Sequence, residues 1–336
     1  MGTEKEWPFK IDFVVSWVDG SDEAWIKRKN KYIAPEIDTT DAFNGENRYR
    51  ELGLFKYWFR GVEKHAPWVN NIYLITDQQV PDFLNLKHPK IKVVDHSEFI
   101  SAKYLPTFNS STIEMNLDNI SGLSEYFVYF NDDFFLTENV SPDDFFTIDG
   151  KARDTIAQSV IMPVESYDHN LVNNTKALNL NFGKKSVIIN NFWNFFNFQQ
   201  GIKLFGVNVV LAFFPRFTRL FDPHTAYSLR KSMMKAAKKL VDSELEEAFY
   251  NRKRGLNDYT IQWVRYYQIA SGVSKVRPYS FGKTANSDDV DRFKKLLTSK
   301  KHSIVNLQDE NATLVQLNEI SEALANRYPD KSEYEK

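Results

Sequence analysis

The chain has 336 residues, enough for two folding units of about 150 residues or one large α/β domain with an insertion. Hydrophobic residues make up 42% and charged residues 26%, a globular balance that excludes disordered, collagen-like and low-complexity classes. With 43 Lys and Arg against 44 Asp and Glu, and no cysteine, the composition argues against a nucleic-acid binder and excludes disulfides, thiolate metal sites and thiol nucleophiles.

Residues 1–10 lack the apolar run of a signal peptide, so the expected location is the cytoplasm. Residues 11–18, 71–76, 91–94 and 126–130 are short runs rich in β-branched and aromatic residues and are predicted as buried strands. Between the first two, residues 49–65 place Leu54, Phe55, Trp58, Phe59 and Val62 at helical spacing, and the helix should stop at Ala66-Pro67. A shorter helix is expected over 112–120. Strands alternating with helices predict an α/β, mostly parallel, Rossmann-like sheet flanked by helices over residues 11–149. In such sheets ligands bind beyond the carboxyl ends of the strands. The polar residues there are Asp19, Asp22, Asp77, Asp95, Asn131, Asp132 and Asp133.

Residues 150–221 change character. Asn and Phe cluster over 190–198 with no clean period, and 204–214 is the most apolar stretch, too short to span a membrane. This part is expected to be an insertion that contacts acceptor or a membrane surface, with Lys203, Arg216 and Arg219 near its apolar run. Asp222-Pro223 then predicts the start of a helix over 225–250, with Asp as N-cap and Pro at the first position. A second helix is expected over 257–271, and Leu314, Leu317, Ile320 and Leu324 predict an amphipathic helix within 311–328. Residues 222–328 thus read as a helical C-terminal part.

Three constellations can carry chemistry. Asp19-Gly20-Ser21-Asp22 follows a strand, where Gly20 allows close backbone approach to a ligand; capping of the next helix by Asp19 and Ser21 is an equal alternative. Asn131-Asp132-Asp133 ends a strongly apolar strand, and adjacent carboxylates there suit Mg²⁺ or Mn²⁺ held against a diphosphate. His224, at the expected helix start, would be kept neutral by the positive helix end, though spacing alone favours a packing or capping role. Arg230, Lys231, Arg252, Lys253 and Arg254 offer charge for phosphate oxygens.

Together these segments resemble the Stealth family of sugar-1-phosphate transferases. Its first block resembles residues 11–22. The second resembles Arg48-Tyr49-Arg50-Glu51, residues 63–77, Leu105-Pro106-Thr107-Phe108 and Asn131-Asp132-Asp133; the third resembles Pro223-His224 with 254–258, and the fourth 305–309. Leu54, Ser121 and Gln308 depart from the usual family pattern.

The resemblance implies a GT-A-like fold, a nucleotide-diphosphate-sugar donor, and transfer of hexose-1-phosphate to a glycan hydroxyl with release of nucleoside monophosphate. It further implies Mg²⁺ or Mn²⁺ at Asp132, Asp133 and Asp309, and charge compensation by Arg254. His224 would serve as base or nucleophile, Asp19 and Asp22 would orient donor, and Arg48 and Arg50 would contact phosphate, with Asn131 and Asp132 also on the substrate. The acceptor is expected to be lipid-linked, with peripheral contact at the inner membrane face left open. An ordinary glycosyltransferase and a non-catalytic glycan-binding protein are the competing readings.

Overall fold

The computed structural model describes residues 7–33, 49–309 and 312–336. Its main sheet forms from the runs richest in β-branched and aromatic residues: β1 (Ile11–Ser16), β2 (Ile72–Thr76), β3 (Ile91–Asp95) and β4 (Tyr126–Asn131). These four pair in parallel, and β7 (Tyr227–Arg230) lies antiparallel along β4, giving the order β3-β2-β1-β4-β7. Side chains alternate between two apolar cores. Phe13, Val15, Val128 and Phe130 enter one, while Val14, Phe127 and Tyr129 enter the other.

The first core lies under α2 (Phe55–His65), which buries Phe55, Trp58, Phe59 and Val62 in the expected stripe. Asp12 is a buried carboxylate within β1. Its two oxygens accept from Asn70 Nδ2 at 2.6 Å, Asn71 N at 3.0 Å and Ser124 N at 2.8 Å, tying the starts of three strands together. A buried charge persists where such donors satisfy it.

A second sheet, β5-β10-β9, consists of β5 (Phe134–Leu136), β9 (Gly282–Asn286) and β10 (Ile304–Gln308). Only Asp132 and Asp133 separate β4 from β5, so the two sheets diverge at the acidic pair. A third pairing joins β6 (Ala152–Asp154) to β8 (Ser274–Val276).

The remaining helices are α1 (Glu23–Tyr32), α3 (Ser110–Glu114), α4 (Asp168–Asn181), α5 (Lys184–Asn190), α6 (Phe192–Phe195), α7 (Ile202–Ala212), α8 (Lys231–Lys239), α9 (Asp242–Phe249), α10 (Ile261–Ala270), α11 (Val290–Leu297) and α12 (Leu314–Arg327). Residues 168–212 are therefore mostly helical. Their period was hidden because α4 buries Asn170 and Asn174 beside Leu171 and Leu178; Asn174 Nδ2 donates to Thr260 Oγ1 at 2.8 Å.

Two local expectations are corrected. The helix expected over 112–120 is α3 followed by a separate turn at 117–119, with Asn109 as its cap. The long helix expected over 225–250 is instead β7, α8 and α9, and Asp222-Pro223 does not open it. His224 has a φ of 44°, in the left-handed region, which no right-handed helix start allows. The neutralising helix end expected at His224 is therefore absent, and Arg230 ends a strand rather than lying inside a helix. The C-terminal part is largely helical and adds four short strands that local periodicity did not announce.

Gly20 has a packing reason different from the one expected. Its N–H donates to the Tyr49 carbonyl at 2.8 Å, and a Cβ there would collide with that oxygen. Close approach thus serves the chain's own backbone. Gly20→Ala is expected to destabilise the fold by about 1–3 kcal/mol, seen as a lower thermal midpoint; a midpoint equal to the parent's would refute this packing account.

Candidate active site

Strand order reverses between β1 and β4, the position where open α/β sheets bind ligands. A cleft of about 700 Å³ opens there, lined from both sheets and by α3, α10 and the 222–224 segment. Three groups of side chains give it its chemistry.

The first group is acidic. Asn131, Asp132 and Asp133 line the cleft at the end of β4. Burial, and then the nearby charge of Glu51, push the Asp132 carboxyl up to about 7, against the pull of the Asp132 and Asp133 backbone N–H groups. Glu51 is itself raised, chiefly by burial and also by Asp19. Pairing of β5 with β10 brings a further carboxylate alongside: Leu307 N donates to Asp133 O at 3.1 Å, and Asp309 follows two residues later. Asp309 Oδ1 accepts from Ser287 Oγ at 3.0 Å, and Oδ2 stands 3.5 Å from Arg50 Nη1.

The second group centres on Glu114 at the end of α3. Burial raises its carboxyl to about 7, although Arg254 opposes the rise. Tyr129 Oη lies 3.4 Å from Glu114 Oε1 and 3.2 Å from Ser16 Oγ. Arg254 donates from Nε and Nη2 to Ser110 Oγ at 3.1 and 3.0 Å, so α3 positions base and cation together.

The third group is Asp222 with His224. Asp222 Oδ1 accepts the backbone N–H of His224 at 2.9 Å, and Oδ2 accepts Gln262 Nε2 at 2.8 Å. Burial works to raise Asp222, but Arg265 and His224 outweigh it and the carboxyl is held below its ordinary value. The His224 ring meets the edge of Phe134, with centroids 5.4 Å apart. Asp222 thereby fixes a strained backbone that turns the histidine into the cleft, a use of strain common at reactive sites.

The structure brings Arg50, Asn131, Asp132, Asp133, His224, Arg254 and Asp309 to one cleft, while Asp19 and Asp22 stand outside its lining. Asp19 Oδ1 accepts from Ser21 N at 2.8 Å and Oγ at 2.6 Å. Asp22 Oδ1 caps α1 through Ala24 N and Trp25 N, and Gln79 Nε2 donates to its Oδ2 at 2.9 Å, the main reason its carboxyl is lowered. The cap of α1 is thus Asp22 rather than Asp19. Arg48 lies outside the described residues. Among the described residues, no three metal-capable side chains are gathered closely enough to form a ready-made site.

Two family regions match, described as Stealth protein CR1, conserved region 1, at residues 9–34, and Stealth protein CR2, conserved region 2, at 48–154. The exopolysaccharide phosphotransferase cps2G of Lactiplantibacillus plantarum is 42% identical over 333 residues, covering 98% of this chain and 97% of that one. The chain belongs to the Stealth family. The receptor polysaccharide phosphotransferase WefC of Streptococcus gordonii is 39% identical over 341 residues, spanning 97% of this Stealth chain and 99% of WefC. The capsular polysaccharide phosphotransferase WcwK of Streptococcus pneumoniae is 36% identical over 334 residues, spanning 97% and 99%. Among solved structures, the galactosyltransferase LgtC aligns at 7% identity and a TM-score of 0.41, over 94% of this chain and 95% of LgtC. The strand topology, rather than that distant likeness, establishes the architecture of this Stealth member.

The CR2 match contains Glu51, Glu114, Asp132 and Asp133, whereas Asp222, His224, Arg254 and Asp309 lie beyond both matched regions yet line the same cleft. Sequence reasoning gave no site role to Glu51, Glu114 or Gln262, and read Asp222 only as a helix cap. Glu114 is flanked by Ile113 and Met115, a carboxylate set among apolar neighbours. That was the one local signal of burial.

Proposed function

We propose that this Stealth protein transfers hexose-1-phosphate from a nucleotide-diphosphate-sugar to a hydroxyl of a lipid-carried glycan in cell-surface polysaccharide synthesis. The observation that carries this reading is Glu114, a carboxyl lifted to about 7 with Arg254 held on the same short helix, both lining a cleft that also carries Asp132 and Asp133. A base with a pKa near neutrality suits removal of a proton from an incoming hydroxyl. In the transfer, the acceptor oxygen bonds to the sugar-bearing phosphorus as the bond from that phosphorus to the bridging oxygen breaks. The leaving group is nucleoside monophosphate, and the hydroxyl proton passes to Glu114. Arg254 balances charge on the transferred phosphoryl group, and His224, held by Asp222 in the same cleft, would donate a hydrogen bond to an oxygen of that group.

Asp132 and Asp133 fit a divalent cation. They are hard oxygen donors, and what holds Asp132 up besides burial is a second carboxylate, Glu51, whose repulsion a bound cation would offset. Mg²⁺ or Mn²⁺ would be held by these two, with Asp309 and substrate phosphates as further oxygens, and would supply charge neutralisation of the diphosphate. Arg50, beside Asp309, is placed to meet donor phosphate.

The test is product analysis with Mg²⁺, a panel of UDP-, CDP- and GDP-sugars and a phosphate-free glycan acceptor. Nucleoside monophosphate should appear in step with a new phosphodiester. Release of nucleoside diphosphate would assign plain sugar transfer to the cleft and overturn the proposal.

A further inference from the structure

Between Asp168 and Asp222 the chain carries six basic residues and no Asp or Glu, although the whole protein has a formal net charge of -1. Among the described residues, this acid-free segment also holds many of the exposed large apolar side chains. Trp193 is 77% exposed, Phe198 69%, Ile202 82% and Phe213 87%, with Val210 at 63%. Such residues are ordinarily covered in a soluble protein, and contiguous exposed patches of them mark interaction surfaces.

The geometry explains how they come to face outward together. Helix α7 docks through Leu204, Asn208 and Leu211. Asn208 fixes that docking: Oδ1 accepts from Gln158 N at 2.7 Å, and Nδ2 donates to Ile156 O at 3.1 Å and Phe195 O at 2.6 Å. The opposite side of α7 stays apolar at Ile202, Val209, Val210 and Phe213, where a surface helix would normally be polar. Aromatic rings extend this face. Phe198 stacks on Phe205 at 4.2 Å, and Phe192 packs on Trp193 at 5.2 Å. Lys203 and Arg216 lie exposed beside it, and Lys184 is buried behind α7, donating to the carbonyls of Leu211 and Arg216.

We propose that this face, built from α6, α7 and the turns around them, seats on an anionic phospholipid surface. Apolar and aromatic side chains would enter the headgroup boundary while Lys203, Arg216 and their basic neighbours meet lipid phosphates, the combination that holds peripheral proteins at interfaces. The segment leaves the cleft lining at Tyr167 and returns to it at Asp222, so both of its ends are tied to the cleft. This deepens the proposed function by naming where a lipid-carried acceptor would be met, and its test does not depend on turnover.

Flotation with phosphatidylglycerol-containing vesicles, compared with pure phosphatidylcholine vesicles, decides it. The wild type should float with the anionic vesicles and largely remain behind with the neutral ones. Trp193→Ser combined with Phe213→Ser should lower anionic-vesicle partitioning by about tenfold or more, and Lys203→Ser with Arg216→Ser should do likewise in a salt-sensitive manner. Both pairs are exposed and outside the cleft, so transfer to a short water-soluble acceptor should persist. Failure of the wild type to float, or flotation unchanged in both variants, overturns the proposal. So does a concentration-dependent dimer that the apolar variant abolishes while flotation stays intact, since a second copy would then cover the face.

Discussion

Replacing Glu114 with Gln lowers kcat by about 10²–10⁴-fold, the range for losing a positioned general base. The wild-type rate should rise with pH through about 7, where the Glu114 carboxyl loses its proton, and this limb should vanish from the residual activity of the variant. Stability moves the other way. A carboxyl whose pKa is higher in the folded than in the unfolded state binds extra protons on folding. Its favourable contribution is therefore present at low pH and lost as pH rises from about 4.5 through 7. At pH 8 the folded wild type holds an ionised, poorly solvated Glu114, and Gln relieves this by about 1–3 kcal/mol. A variant that is nearly inactive yet melts above the parent at pH 8, and not at pH 5, matches the assigned role. One that loses activity and melting temperature together at both pH values would mark Glu114 as structural.

Asp132→Asn should cost at least about 10³-fold in kcat/KM, the scale for losing a group that organises charge at a reacting diphosphate. Its signature lies in binding. Wild-type affinity for a nucleotide-diphosphate-sugar, measured calorimetrically, should rise on addition of Mg²⁺, and the variant should respond little. Because burial and Glu51 hold Asp132 near 7, the effect of Mg²⁺ should weaken below neutral pH as protons compete for the carboxylate. Equal Mg²⁺ responses in wild type and variant would remove Asp132 from the cation site.

The main sheet was legible because its strands are short, apolar and separated by helix-length segments, and α2 because Trp58, Phe59 and Val62 declare their spacing. The strand β7 was not legible. Its residues follow Asp-Pro, a strong helix opening, and only antiparallel pairing with β4 outside the local window makes them extended. Cleft residues divide the same way. Asp132 and Asp133 announced themselves by following an apolar strand, and His224 by its place after Asp-Pro, though for a mistaken physical reason. Glu51 carries no local mark of a raised pKa and Glu114 only its apolar neighbours Ile113 and Met115, since that property arises mainly from packing of distant segments. The cap that Asp22 gives α1 was not legible, because a capping carboxylate and a binding carboxylate look alike until the N–H groups they accept from are seen.

The junction of β5 with β10 also bears on how the protein comes into being. The Asp309 segment reaches the Asp133 turn only through pairing between residues 134–136 and 304–306, so this part of the cleft closes over a loop of about half the chain. Contacts so distant in sequence form late and slow folding, and synthesis proceeds from the N-terminus at about 5–20 residues per second. A growing chain can complete its first four strands and bury their apolar faces well before β10 leaves the ribosome. The nascent protein thus lacks the Leu307–Asp309 side of its cleft until β10 is in place.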